Sequence, residues 1–263
     1  MLLLLAAAAM ATTAPVSSLP EAAHALEAGR LDEADMLISA SIQAGAAGNR
    51  VEVLVAGLAF ARGDYAKAAD LYRALHTAQP RDAFIAERAG IASLHAARLN
   101  DAERILDEAT ALPGASWRSW NARGVAADER QDWAKADASF AQALSLAPAR
   151  AEISNNEGWS LLLRGRWREG EAALARAAVL NPTLPRVSNN FELARAALAN
   201  EFLDRRPGEK VTAWAARLND AGVAAAVQGQ RARAIALFAQ AIQALPTWDR
   251  RTAANLASVE TSR

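Results

Sequence analysis

The stretch WRSWNARGVAADERQDWAKADASFAQALSLAPAR, residues 117–150, is followed directly by AEISNNEGWSLLLRGRWREGEAALARAAVLNPTL, residues 151–184, and the two align at an offset of 34 residues. The aligned pairs are Gly124 with Gly158, Trp133 with Trp167, Ala143 with Ala177, and Pro148 with Pro182. A fixed period of this length is typical of helix-turn-helix units that stack because no single unit can bury its apolar face alone. The period therefore predicts a solenoid of helical pairs.

The composition also favours helices. Hydrophobic residues make up 52% of the chain and alanine is the commonest of them, whereas aromatic residues make up only 6%. Alanine is the strongest helix former, while aromatic and β-branched residues favour strands. The composition therefore predicts an all-α fold.

Charge and residue types exclude several classes of function. Lys+Arg and Asp+Glu are balanced at 29 each, so no net charge attracts nucleic acid. The chain has no cysteine, and His24, His76 and His95 are too far apart in sequence to form a ligand-spaced pair. No nucleophile–base arrangement, glycine-rich phosphate loop or metal-binding spacing occurs. We therefore expect no catalytic, cofactor or metal site and no nucleic-acid partner.

The amino terminus resembles an export signal. Leu2–Ala11 is an apolar run, and small residues precede Thr12–Pro15 as they would at a cleavage site. The run is shorter than the roughly 20 apolar residues that a transmembrane helix needs. The basic region that usually precedes the apolar run of a signal peptide is missing, because the first Lys or Arg in the chain is Arg30. Residues 1–19 thus predict export to the periplasm or envelope of a bacterium. A misplaced start codon, which would leave the protein in the cytoplasm, is the alternative.

The 34-residue period extends in both directions from the two matched segments. A small residue recurs in the middle of each first helix, at Ala56, Gly90, Gly124 and Gly158. A turn follows in a constant phase, at Gly29, Gly63, Ala97, Gln131 and Gly165. Glycine ends a helix there because it adopts a left-handed backbone conformation without strain.

This pattern resembles the tetratricopeptide repeat (TPR). The clearest copy matches the motif at nearly every place, with Trp120, Gly124, Trp133, Ala136, Phe140, Ala143 and Pro148. The resemblance implies a right-handed superhelical α-solenoid whose first helices line a concave, partner-binding surface.

The repeat phase predicts the division of the chain. The segments are a signal-like segment at 1–19, a shortened repeat at 20–48, four units at 49–82, 83–116, 117–150 and 151–184, a half repeat at 185–203, a linker loop at 204–209, a carboxyl-terminal repeat at 210–248, and a capping helix and tail at 249–263. The half repeat ends where the breaker-rich Asp204–Gly208 replaces the expected second helix.

Polar and apolar rows on the first helices predict a binding groove. Asparagines or an aspartate stand three or two residues before Gly124, Gly158 and Gly222 and in the same phase of the half repeat, and apolar residues stand one residue after this central position. The predicted groove residues are Asn121, Val125, Asn155, Asn156, Trp159, Asn189, Asn190, Leu193, Asn219 and Asp220. Carboxamides can pair with the backbone of an extended peptide, and Trp159 has the size of a binding hot spot.

Two alternatives stay open for these rows. The asparagines could instead bond a neighbouring repeat and only set the repeat spacing, because an asparagine inside a helix is unfavourable unless its amide is satisfied. Trp159 could instead be a core residue. A basic clamp for a terminal carboxylate is excluded, because Arg88 is the only suitable basic residue at the required positions.

The carboxyl-terminal half is also similar to the TPR component of tight-adherence (Tad/Flp) pilus assembly. The residues concerned are Asn155–Trp159, Leu161–Gly165, Val187–Asn190 and Leu218–Gly222. The resemblance implies a non-enzymatic scaffold whose protein or peptide partner belongs to a pilus secretion machine. A general envelope adaptor, for peptidoglycan or another assembly system, is the alternative, and an enzyme is a third.

Overall fold

The computed structural model describes residues 18–199, 204–245 and 249–261, and these residues contain helices and no strand. The helices are α1 (Leu19–Glu27), α2 (Leu31–Gln43), α3 (Asn49–Ala61), α4 (Tyr65–Ala78), α5 (Ala83–His95), α6 (Leu99–Ala111), α7 (Trp117–Glu129), α8 (Trp133–Leu146), α9 (Ala151–Leu163), α10 (Trp167–Leu180), α11 (Pro185–Ala199), α12 (Val211–Val227), α13 (Arg231–Ala244) and α14 (Arg250–Thr261). The all-α prediction is confirmed. Most of the predicted signal segment, Pro246, and residues 200–203 of the half repeat lie outside the described residues.

The chain forms two compact units, residues 1–112 and residues 113–263. The first unit contains α1 to α6 and the second contains α7 to α14. Among the residues described, six pairs of consecutive helices form antiparallel hairpins, which are α1–α2, α3–α4 and α5–α6 in the first unit and α7–α8, α9–α10 and α12–α13 in the second, while α11 and α14 are single helices. The last four residues of the predicted 83–116 repeat therefore belong to the second unit. None of the helices in the described ranges is both long enough and apolar enough to span a bilayer.

The turns between paired helices adopt the predicted left-handed conformation. Gly29, Gly63 and Gly165 have φ angles of 72°, 81° and 77°. Ala97 and Gln131, which occupy the same phase without being glycine, also have positive φ angles, 57° and 59°. The geometry of the hairpin therefore prevails over the intrinsic preference of these two residues.

The central small residues let the paired helices approach closely. A Cβ atom built on Gly124 would lie 2.6 Å from the Phe140 ring, and one on Gly158 would lie 2.6 Å from Leu174 Cγ. Phe140 and Leu174 are fully buried in the core. The small residues at the centres of α7 and α9 thus contact large buried residues of α8 and α10.

An ion-pair network connects the linker to its neighbours after the half repeat. Arg217 on α12 is 7% exposed and donates from Nε to Glu209 Oε1 at 2.8 Å. It also donates to the Asp204 carbonyl oxygen at 2.9 Å, while Arg206 pairs with Glu192 on α11. The Arg217 guanidinium lowers the pKa of Glu209 to about 2. These contacts connect the linker to α11 and α12, next to the place where a second helix is missing.

Candidate functional site

The first helices of the second unit line an open depression that contains two adjacent cavities. We call this depression the groove. The first cavity, of about 470 Å³, is lined by residues of α9, α11, α12 and α14. It brings together six predicted residues, which are Asn155, Asn156, Trp159, Asn189, Asn190 and Asp220. Arg186 and Arg251 complete its lining.

The second cavity, of about 460 Å³, extends the groove toward α7. Val125, Asp128, Glu129 and Leu163 are among its lining residues. Asn156, Trp159 and Arg186 line both cavities. Trp159 is half-buried, because it packs against the apolar core on one side and borders the groove on the other. It therefore presents an aromatic surface where the two cavities meet.

Four asparagines form a continuous hydrogen-bonded relay across three first helices. Asn190 Nδ2 donates to Asn155 Oδ1 at 2.9 Å, and Asn155 Nδ2 donates to Asn156 Oδ1 at 3.2 Å. Asn156 Nδ2 then donates to Asn121 Oδ1 at 3.1 Å. The bonds between repeats join residues 35 apart, one more than the period. The relay therefore connects neighbouring repeats through side chains.

Burial separates the asparagines that support the groove from those that face it. Asn155 and Asn219 are each 3% exposed. Asn219 accepts a bond from Asn255 Nδ2 at 2.9 Å and donates to Asp220 Oδ1 at 3.2 Å. Asn156 and Asn190 are half-buried, and Asn189 is exposed. Within the described part of the chain, the Asn190 carboxamide oxygen has no hydrogen-bond partner.

Three predicted groove residues do not line the two cavities. Leu193, predicted as a groove residue, is 4% exposed and packs in a core with Leu218 and Phe238. The reason is that α12 packs directly on α11, where the half repeat has no second helix. Asn121 and Asn219 do not line the cavities but form hydrogen bonds with residues that do, Asn121 with Asn156 and Asn219 with Asp220.

Acidic groups beside the groove are shifted toward their neutral forms. Burial raises the pKa of Asp128 to about 6, even though Ser160 Oγ donates to its carboxylate at 2.6 Å. Burial also raises the pKa of Asp220 and that of Glu157. Removal from water disfavours a carboxylate more than these polar neighbours stabilise it.

Sequence reasoning missed the two arginines that line the first cavity. Arg186 forms no ion pair with any described residue, whereas Arg251 Nη2 lies 3.9 Å from Asp220 Oδ1. A signal was present, since Arg186 precedes Asn190 by four residues and Arg251 precedes Asn255 by four. Residues four apart share one face of a helix. Arg186 therefore lies one turn from Asn190 of the polar row, and Arg251 lies one turn from Asn255, which donates to Asn219.

Comparison with known proteins identifies similar folds. No family model and no curated protein matches the chain. A thermophilic TPR protein of Thermus thermophilus is 21% identical, covers 67% of this chain and 96% of its own, and has a TM-score of 0.59. A TPR protein of Parabacteroides merdae is 13% identical, covers 92% and 97%, and has a TM-score of 0.57.

A third similar structure is PilW, described as a widely conserved type IV pilus biogenesis factor. It is 15% identical, the match covers 93% of this chain and 97% of PilW, and the TM-score is 0.58. At these identities the likeness concerns the fold alone. Together with the 34-residue period and the helical hairpins, these matches show that the chain has the fold of the tetratricopeptide-repeat proteins.

Proposed function

We propose that the groove binds an extended peptide segment of a partner protein and that the chain is a scaffold. The observation that carries this proposal is the position of Trp159, a half-buried aromatic side chain between two cavities and beside the half-buried Asn156 and Asn190. A large apolar group surrounded by hydrogen-bonding groups is the usual anatomy of a binding hot spot.

The chemistry of the groove suits a peptide backbone. The Asn190 oxygen can accept a bond from a peptide N–H. Exposed Asn189 offers its amide as a donor, while its oxygen already accepts a bond from Arg206 Nη1 at 3.4 Å. Backbone groups are common to all peptides, so they supply affinity, while pockets for side chains supply specificity. The uncharged relay and the aromatic ring thus favour an extended segment, and Arg186 favours an acidic residue within it.

We further propose that the partner belongs to pilus assembly and that the chain is exported. The resemblance of the carboxyl-terminal half to the Tad/Flp component supports the first part, and the fold that the chain shares with PilW is consistent with it. The apolar segment before Thr12 supports export. The alternative, a general envelope adaptor, is supported by the backbone-directed chemistry of the groove, which does not require a pilus protein.

Photo-crosslinking from the groove tests the proposal. A photoreactive amino acid replaces exposed Asn189 in the native envelope, and a second chain carries it at exposed Ala138 of α8, outside both cavities. We expect a partner to be captured from position 189 only, and mass spectrometry to identify a pilus component. A peptidoglycan or outer-membrane assembly protein would instead support the adaptor alternative.

A pair of tryptophan variants separates binding from folding. Trp159→Ala should abolish capture from position 189, whereas Trp117→Ala should not, because Trp117 is also half-buried but lies outside the groove. Circular dichroism should show the same helicity in both variants. Equal capture from positions 189 and 138, or capture that persists in Trp159→Ala, would contradict binding in the groove.

A further inference from the structure

The first unit contains a separate cavity where one repeat lacks a side chain. One residue after the central small residue, the repeats carry Ile91, Val125 and Trp159, but α3 carries Gly57 in the same phase. A cavity of about 340 Å³ opens there between residues of α1, α3, α4 and α5. It is lined mainly by apolar side chains, among them Leu26, Val53, Leu54, Phe60 and Tyr72.

Gly57 lies at the floor of this cavity, which we call the Gly57 pocket. A Cβ atom at this position would lie 2.9 Å from Leu26 Cδ2 and 3.3 Å from the Tyr72 hydroxyl oxygen. The Tyr72 hydroxyl donates to the Val53 carbonyl oxygen at 3.5 Å, and burial raises the pKa of Tyr72. The floor is thus apolar apart from a hydroxyl that already has an acceptor. It suits an apolar group from another molecule.

The wall formed by α5 adds an aromatic ring and a cation. Phe84 is 50% exposed, and the Arg88 guanidinium carbon lies 5.1 Å from the centre of its ring. Arg88 Nε is buried without a hydrogen-bond partner, and Arg88 forms no ion pair with any described carboxylate, including Glu27 across the pocket. A buried guanidinium donor without an acceptor is unfavourable, and a carboxylate satisfies it best.

We infer that the Gly57 pocket is an anchor site for a peptide in which a large apolar side chain is next to an acidic one. The apolar side chain occupies the cavity lined by Leu26, Val53 and Phe60. The neighbouring carboxylate accepts hydrogen bonds from Arg88, so charge complementarity selects the acidic residue. The site belongs to the first unit and does not depend on the groove.

Fluorescence anisotropy with synthetic peptides tests this site on the full chain. The probe is the fluorescein-labelled, carboxyl-amidated peptide Gly-Ser-Phe-Glu-Ser-Gly, whose peptide part has the glutamate side chain as its only carboxylate. Matched peptides replace Phe by Ala or Glu by Gln. Burial of a phenyl ring contributes about 1.5–3 kcal/mol, so the Ala peptide should bind about tenfold or more weakly. The Gln peptide should bind about tenfold more weakly, because it loses a charged hydrogen bond.

Variants of the chain assign the binding to the pocket. Gly57→Ile should remove the preference for Phe over Ala by filling the pocket. Arg88→Gln should remove the preference for Glu over Gln, while the control Arg50→Gln, an exposed arginine of α3 outside the pocket, should retain both. If Gly57→Ile lowers the melting temperature, the comparison of Arg88→Gln with its control Arg50→Gln alone decides whether the probe binds in the pocket. Trp159→Ala should leave unchanged the part of the Phe and Glu preferences that Gly57→Ile and Arg88→Gln remove, so this part of the test is independent of the groove.

Three results would overturn the inference. The first is equal binding of the Phe and Ala peptides, and the second is a Glu preference that survives Arg88→Gln. The third is concentration-dependent self-association of the chain that Gly57→Ile abolishes, which would make a second copy the occupant of the pocket.

Discussion

The hydrogen bond between Asn190 and Asn155 can be tested by a double-mutant cycle. Asn155 is 3% exposed and forms two bonds of the relay, to Asn190 and to Asn156. A buried hydrogen bond contributes about 0.5–1.5 kcal/mol, so Asn155→Ala should reduce the free energy of unfolding by about 1–3 kcal/mol. Asn190→Ala should cost about 1–2 kcal/mol, because it leaves the buried Asn155 oxygen without its donor.

The two single variants share one bond, which the double variant loses only once. The double variant should therefore cost about 1 kcal/mol less than the sum of the single variants. Urea denaturation followed by tryptophan fluorescence measures this coupling in the relevant part of the chain. All 7 tryptophans lie after residue 112, so the signal reports the second unit alone.

The control for this cycle is Gln142→Ala at an exposed position of α8. It should change the free energy of unfolding by no more than about 0.5 kcal/mol, as is usual for surface substitutions. A coupling energy near zero between Asn155 and Asn190 would refute the reasoning. The relay would then have no energetic role in joining the repeats.

Two further predictions concern packing and pH. Gly158→Leu should reduce the free energy of unfolding by about 1–3 kcal/mol through overpacking. The reason is that the new Cβ would lie 2.6 Å from Leu174 Cγ and 3.0 Å from the Gly170 carbonyl oxygen. An unchanged melting temperature would contradict the close packing of α9 on α10. Asp128 has a pKa raised from 3.8 to about 6, so its contribution to stability is full below pH 3.8 and is lost as the pH rises through 6. Asp128→Asn should therefore be as stable as the parent chain at low pH. At neutral pH the variant should be more stable by about 1 kcal/mol, a value reduced because Asp128 is partly exposed. Equal stabilities at neutral pH would show that the ionised Asp128 carboxylate does not destabilise the fold.

Much of the fold follows from the period because the period encodes packing. Ala97 and Gln131 are poor candidates for a left-handed turn on local preference, yet their phase predicts the conformation that they adopt. The sequence also predicts where the 34-residue period is interrupted, because the breaker-rich Asp204–Gly208 follows the half repeat. The next helix, α12, begins only at Val211. The boundary between the two units is not readable, because prolines also close repeats that pack together within a unit.

The site was harder to predict because its contacts depend on how neighbouring repeats are offset. The relay joins residues 35 apart, and a single repeat does not reveal which asparagine is the partner of which. Asn155 joins neighbouring repeats, as the structural alternative expects, while the binding role of exposed Asn189 stays a prediction. Leu193 has the same phase as Trp159 but a different environment, because burial depends on the helix that follows.

The relay has a consequence for engineering the length of the array. Asn155 accepts from the following repeat and Asn156 donates to the preceding one, so the 151–184 segment carries both halves of the junction. A second copy of this segment inserted after Leu184 would pair its own Asn156 with the original Asn155, and its own Asn155 with Asn190. Gly158 and Leu174 would be duplicated together with the hairpin that they hold. Copying this one segment would therefore preserve the asparagine junction at both ends of the inserted repeat.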